Sequence, residues 1–123
     1  SQLSATLDMN DQQLTNMAIK NYGEIINDLG TTSGTITPDP NNGSVQKITL
    51  NNNLTLNALS NVANGDSITL IVKQDGTGNR TLSSTMKFAG GTKTLSTAAN
   101  AIDVITIFYD GTDYLASLST NFS

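Results

Sequence analysis

Two stretches in the second half of the chain, Ser67-Ile-Thr-Leu-Ile-Val-Lys73 and Ile102-Asp-Val-Ile-Thr-Ile-Phe-Tyr109, are apolar at nearly every position and end in turn signals, Gln74-Asp-Gly-Thr-Gly78 and Asp110-Gly-Thr-Asp113. Short apolar runs bounded by turns read as strands, and strands with no polar alternate face are expected to be covered on both sides, in a sandwich or against another subunit. The rest of the composition leaves little for chemistry. There is no His, Cys or Trp, one Glu (Glu24) and one Arg (Arg80). That removes imidazole acid–base catalysis and thiolate nucleophiles or metal ligands, so no catalytic residue, metal ligand or cofactor site is assigned.

Thr, Asn and Ser make up 45 of the 123 residues. Large side chains to fill a core are correspondingly scarce. A β-domain of about eighty residues buries only some 60–65% of its unfolded surface, and contacts between copies are the natural source of further burial. The net charge of −4 and the scattering of the six cations over Lys20, Lys47, Lys73, Arg80, Lys87 and Lys93 argue against nucleic-acid binding, which needs clustered positive charge. No apolar run is long enough to span a bilayer, and residues 1–6 carry no charged region followed by an apolar one, so neither membrane insertion nor a secretion signal is expected.

Between Asp11 and Leu29 the apolar residues Leu14, Met17, Ala18, Tyr22, Ile25, Ile26 and Leu29 recur at spacings of three and four. This predicts an amphipathic helix with Asp8 or Asn10 as N-cap and Gly30 at its C-terminal end. Its apolar stripe would serve as an attachment or oligomer interface, packed on its own β-domain or on a larger host surface, or gathered in a parallel bundle. Asn21 on the stripe and Gly23 within it weaken the bundle. Residues 31–44, with Pro38, Pro40, Gly34 and Gly43, read as a linker. Within it Gly34-Thr-Ile-Thr37 can pair as an extra edge strand. Residues 45–123 then alternate strands and turns at short spacing, predicting an antiparallel, jelly-roll-like β-sandwich of seven or eight strands. The Asp110-Gly111 hairpin is its strongest local turn signal.

The carboxylates Asp66, Asp75, Asp110 and Asp113 sit in turn sequences, and side chain to backbone bonds account for them better than a calcium site. Gln74-Asp-Gly-Thr-Gly-Asn79 has no following Gly-Lys-Ser/Thr and precedes a strand, so it is not a phosphate loop. Three Asn-x-Ser/Thr triplets, at Asn53, Asn79 and Asn121, are what an Asn-, Thr- and Ser-rich chain produces by chance. Tyr109 and Tyr114 flank the last turn and are expected to pack across the hairpin rather than stack on a sugar.

Taken in order, Gln74-Asp-Gly-Thr-Gly-Asn-Arg-Thr81, the Gly90-Gly91 bend, Asn100-Ala-Ile-Asp-Val104 and Asp110-Gly-Thr-Asp-Tyr114 resemble a β-domain that recurs in tailed-bacteriophage virion proteins. Those include capsid decoration or cement proteins and short head, neck or tail fibres. Where relatives often carry Trp this chain has Phe88 and Tyr114. The resemblance covers roughly residues 45–123 and implies a non-enzymatic structural role in the virion, commonly as a homotrimer, with the N-terminal arm attached to the major capsid protein or another virion protein. With one arm, one linker and one β-domain, the expectation leans to a decoration protein or small fibre. The competing expectation is an adhesin-type module that binds a host-surface glycan through the loops at Asp75 to Asn79 and Asp110 to Tyr114.

Overall fold

The computed structural model describes residues 4–123. Seven strands form: β1 (Ile26–Ile36), β2 (Val45–Leu56), β3 (Ser67–Gln74), β4 (Leu82–Ser84), β5 (Lys87–Phe88), β6 (Ile102–Tyr109) and β7 (Tyr114–Ser119). The only helical turns among the described residues are 3-10 turns at Pro40–Asn42 and Ala89–Gly91. No helix is long and apolar enough to cross a membrane.

The fold is mainly β, as expected, but it is not an antiparallel jelly-roll. Four of the six strand pairings are parallel, namely β1 with β2, β2 with β3, β2 with β4, and β5 with β7. Successive strands wrap in one direction, as in a β-solenoid. The reason lies in the connections. Residues 37–44 and 57–66 separate β1, β2 and β3 by stretches long enough to carry the chain back to its starting side, which parallel neighbours require. A tight turn joins strands only at Asp110-Gly111, and there β6 and β7 are antiparallel, with Tyr109 opposite Tyr114.

β2 organises the whole. One edge of it bonds to β1 along its length, while the other edge takes β3 over Val45–Leu50 and β4 over Leu54–Leu56. The exposed Asn51-Asn52-Asn53 lies between those halves. β3 continues the sheet antiparallel to β6 and β6 antiparallel to β7, and β7 then pairs with β5 in parallel. β5 follows β4 after two residues, so the chain itself, not a further pairing, links the end of this path back to β2 and closes it around a single core.

Inward positions alternate along each strand. Ile48, Leu50, Leu54 and Leu56 of β2 meet Ile68, Leu70 and Val72 of β3, Ile105 and Ile107 of β6 and Ala116 of β7, with Met86, Phe88 and Leu95 closing the open side. The outward residues of the two apolar runs are only partly covered, with Ile71 and Val104 half-buried and Phe108 45% exposed. β3 and β6 are therefore covered on one face within the chain, not on both.

The N-terminal helix does not form. Residues 4–25 run irregularly, with Asn10, Asp11, Asn16 and Asn21 at positive φ (49°, 61°, 54° and 56°). Asn and Asp tolerate this left-handed region, and each visit to it breaks a right-handed helix. What was expected as the last helical turn is strand instead, since Ile26, Asn27 and Asp28 pair with Val45, Gln46 and Lys47. β1 also runs into the stretch expected as linker. The edge strand anticipated at Gly34 to Thr37 is thus the end of a longer strand, and the connection shrinks to residues 37–44.

Candidate functional site

The seven residues expected to share a helical face are not brought together. Leu14, Met17, Tyr22 and Ile25 are 55%, 56%, 68% and 72% exposed and Ala18 is exposed, all on the irregular arm. Ile26 and Leu29 belong to β1 and, three positions apart, take opposite sides of it. Ile26 is exposed, while Leu29 packs against the core. Leu7 and Ile19 add two more exposed apolar side chains to the arm. In place of a stripe there is a row of uncovered apolar groups leading into a strand whose far edge has no backbone partner among the described residues.

The loops singled out for ligand recognition are held internally. Asp75 Oδ1 accepts from the amides of Thr77 (3.1 Å) and Gly78 (3.0 Å), and Oδ2 accepts from Arg80 Nη2 at 2.9 Å. The Arg80 hydrogen bond, aided by those amides against partial desolvation, holds the Asp75 carboxyl below its ordinary pKa. Gly78 lies at φ 74°, where an added Cβ would stand 2.5 Å from the carbonyl oxygen of Thr97. This is a close backbone crossing that only glycine permits.

At the other loop Asp110 Oδ1 accepts from the Asp113 and Thr112 amides at 2.6 and 2.8 Å, which lowers its pKa in the same way. Lys87 bridges to Asp113 at 2.9 Å, and the bond to that carboxylate raises the Lys87 pKa. Tyr109 and Tyr114 stack on each other with centroids 4.5 Å apart, so each ring covers one face of the other.

Three buried polar residues, Gln46, Gln74 and Asp103, were not picked out as a set from the sequence. Gln46 Nε2 donates to the carbonyls of Asp39 and Gly43. Gln74 donates to the carbonyls of Arg80 and Ser96 and accepts from the Arg80 amide. Asp103 accepts from the amides of Ser96 and Asn121. Each occupies an inward position of its strand, and each anchors a loop. The signal was available: a polar residue in step with Ile48, Ile68 or Ile105 points inward and must find partners there.

On the outer face of β1, β2 and β3 a groove of about 290 Å³ is lined by Asp28, Lys47, Thr49, Ile71, Lys73 and Ile102, among others. Lys47 Nζ lies 3.8 Å from Asp28, with both side chains at least half exposed, so this ion pair contributes little to stability.

Compared with known proteins, residues 31–114 match the sequence model of a family described as "Putative phage tail fibre C-terminal domain". The matched part begins inside β1 and ends at the first residue of β7, leaving residues 1–30 outside it. No match was found among curated proteins or among solved structures.

Proposed function

The chain belongs to the phage tail-fibre C-terminal-domain family, and from that membership we propose that it is a non-enzymatic fibre component assembled as a homotrimer and attached through its N-terminal arm. At the level the family itself carries, it is a fibre-type structural protein of the phage virion and associates with other virion proteins. Of the placements raised by the sequence, capsid surface, neck or tail, the family favours the tail. The observation that carries the arm's role is the division of the chain: the matched β-domain buries its own core, whereas residues 7–26 present Leu7, Leu14, Met17, Ile19, Tyr22, Ile25 and Ile26 uncovered. Apolar side chains gathered in one segment mark a contact surface.

Light scattering on the purified chain tests the assembly, with three times the monomer mass expected at micromolar concentration and a folded monomer rejecting it. Removal of residues 1–25 tests the attachment. The truncated chain is expected to be missing from particles, and full occupancy would move attachment into the β-domain.

A second reading, recognition of a host-surface glycan, has one supporting observation. It is the groove over β1, β2 and β3, where Lys47 and Lys73 flank the apolar floor of Ile71 and Ile102. Apolar clefts with a few convergent polar groups are common ligand sites. Glycan-array binding that is lost in Lys73→Glu supports this reading, and binding indifferent to that change removes the groove from it.

A further inference from the structure

β1 is the terminal strand of the parallel stack. It bonds to β2 over Ile26–Ile36, and no backbone group of any other described residue reaches its far edge. An open edge of eleven residues is long. Proteins blunt such edges with Lys, Pro or a covering segment. β1 has no Lys and no Pro, and its single charge, Asp28, is paired with Lys47 on β2; its register shifts at Asp28/Thr31 and Thr32/Gly34 bend the edge without covering it. Stacked repeats need a cap at each end. This end has none among the described residues.

The arm has the complementary deficit. Between residues 7 and 25 the only backbone bond within the arm is Gln12 N to Met9 O, and the large apolar side chains, the half-buried Met9 apart, are more than half exposed. Its length also fits the stack. Ile26 pairs with Val45, a step of 19 residues, and Val45 with Thr69, a step of 24; residues 7–25, nineteen in number, match the shorter of the two. In its own chain this segment runs into β1 at Ile26 and does not bond to the β1 edge.

We propose that residues 7–25 of one copy add as a strand to the open β1 edge of the next copy. The addition satisfies the free amides and carbonyls of β1. In a strand Met17 and Ile19 share one face and Leu14 takes the other, so the added segment extends both sides of β1, the side of the exposed Ile26 and the side of the half-buried Leu29 and Ile36. Each copy donates one arm and accepts another, a head-to-tail contact that closes into a ring under three-fold symmetry. The eleven-residue β1 edge pairs with about as many residues of the donor segment, a contact smaller than the roughly twenty to thirty residues per side of a standard interface, and in a closed ring each copy makes it twice. The proposal rests on the homotrimer reading and specifies its contact.

The chain has no cysteine, so Thr35→Cys, exposed on β1, gives a unique attachment point for a benzophenone photocrosslinker on the full-length protein. Unlabelled and 15N-labelled chains are refolded together, irradiated and mapped by mass spectrometry. Crosslinks from position 35 into residues 7–25 that join light and heavy copies are expected. Light scattering separates the possible failures. A trimer with inter-copy crosslinks outside the arm overturns the strand addition and leaves the trimer standing, and a monomer overturns both. Crosslinks to the arm of the same copy mean that the arm caps its own edge, which also overturns the proposal. Amide exchange on the unmodified chain is a second reading independent of the substitution: residues 7–25 are expected to exchange at least about tenfold more slowly than unstructured peptide, and unprotected amides overturn the proposal.

Discussion

Single residues divide sharply by what surrounds them. Ile105 is fully buried and Phe108, three positions along β6, is 45% exposed. Ile105→Ala is therefore expected to cost about 2–5 kcal/mol by cavity formation, and Phe108→Ala markedly less, as read from urea midpoints. Glycines divide in the same way. Gly78→Ala forces a Cβ into the Thr97 carbonyl at positive φ, with an expected loss of about 2–4 kcal/mol. Gly76→Ala, two residues away, meets nothing within 4 Å and is expected to change stability by less than about 0.5 kcal/mol. Asp75 adds a pH dependence. Its pKa is lower folded than unfolded, so its contribution is present above the unfolded carboxylate value and is lost as pH falls through the folded one. The stability gap between the parent chain and Asp75→Asn is expected to be open at pH 7 and to close on acidification. A gap unchanged across that range would mean that the Arg80 contact does not favour the charged form.

At the scale of elements, what the sequence disclosed depended on whether the deciding interaction was local. The β6–β7 hairpin was legible because Asp110-Gly111 encodes its own turn, with Gly111 at φ 100°. β3 was legible as an apolar run. The parallel pairing was not, because nothing within 57–66 announces on which side of β2 the chain will return. The supposed helix from Asp11 to Leu29 shows the converse failure. Spacings of three and four arise readily among scattered apolar residues, and Asn10, Asn16 and Asn21 prefer left-handed backbone to a helical turn. Of the site, the apolar content of the arm was visible from sequence, whereas the open β1 edge beside it is a property of pairing and was not. Gln74 ties β3 to the loops that precede β4 and β6 through three hydrogen bonds. Gln74→Leu leaves two carbonyls and an amide without partners and is expected to cost about 2–4 kcal/mol, measured by thermal or urea unfolding. A loss below about 1 kcal/mol would mean that water replaces the side chain.

Taken whole, the molecule is one core enclosed by a closed path of strands, with an uncovered arm leading away from it. If the arm engages another copy, the unfolding temperature is expected to rise with protein concentration in the full-length chain and to be independent of it once residues 1–25 are removed. The same temperature in both chains at every concentration would show that the arm contributes nothing to assembly. The parallel ladder between β1 and β2 also bears on how such a part withstands force. The arm joins β1 at Ile26, the first residue of the strand. Tension applied through the arm therefore pulls β1 lengthwise past β2. The cross-strand bonds from Ile26↔Val45 to Ile36↔Leu56 are loaded together, in shear, instead of parting one at a time as in a peeled hairpin. If the arm is the anchor, a fibre part held this way gives way late and all at once, which suits a load borne while the particle is tugged by its host.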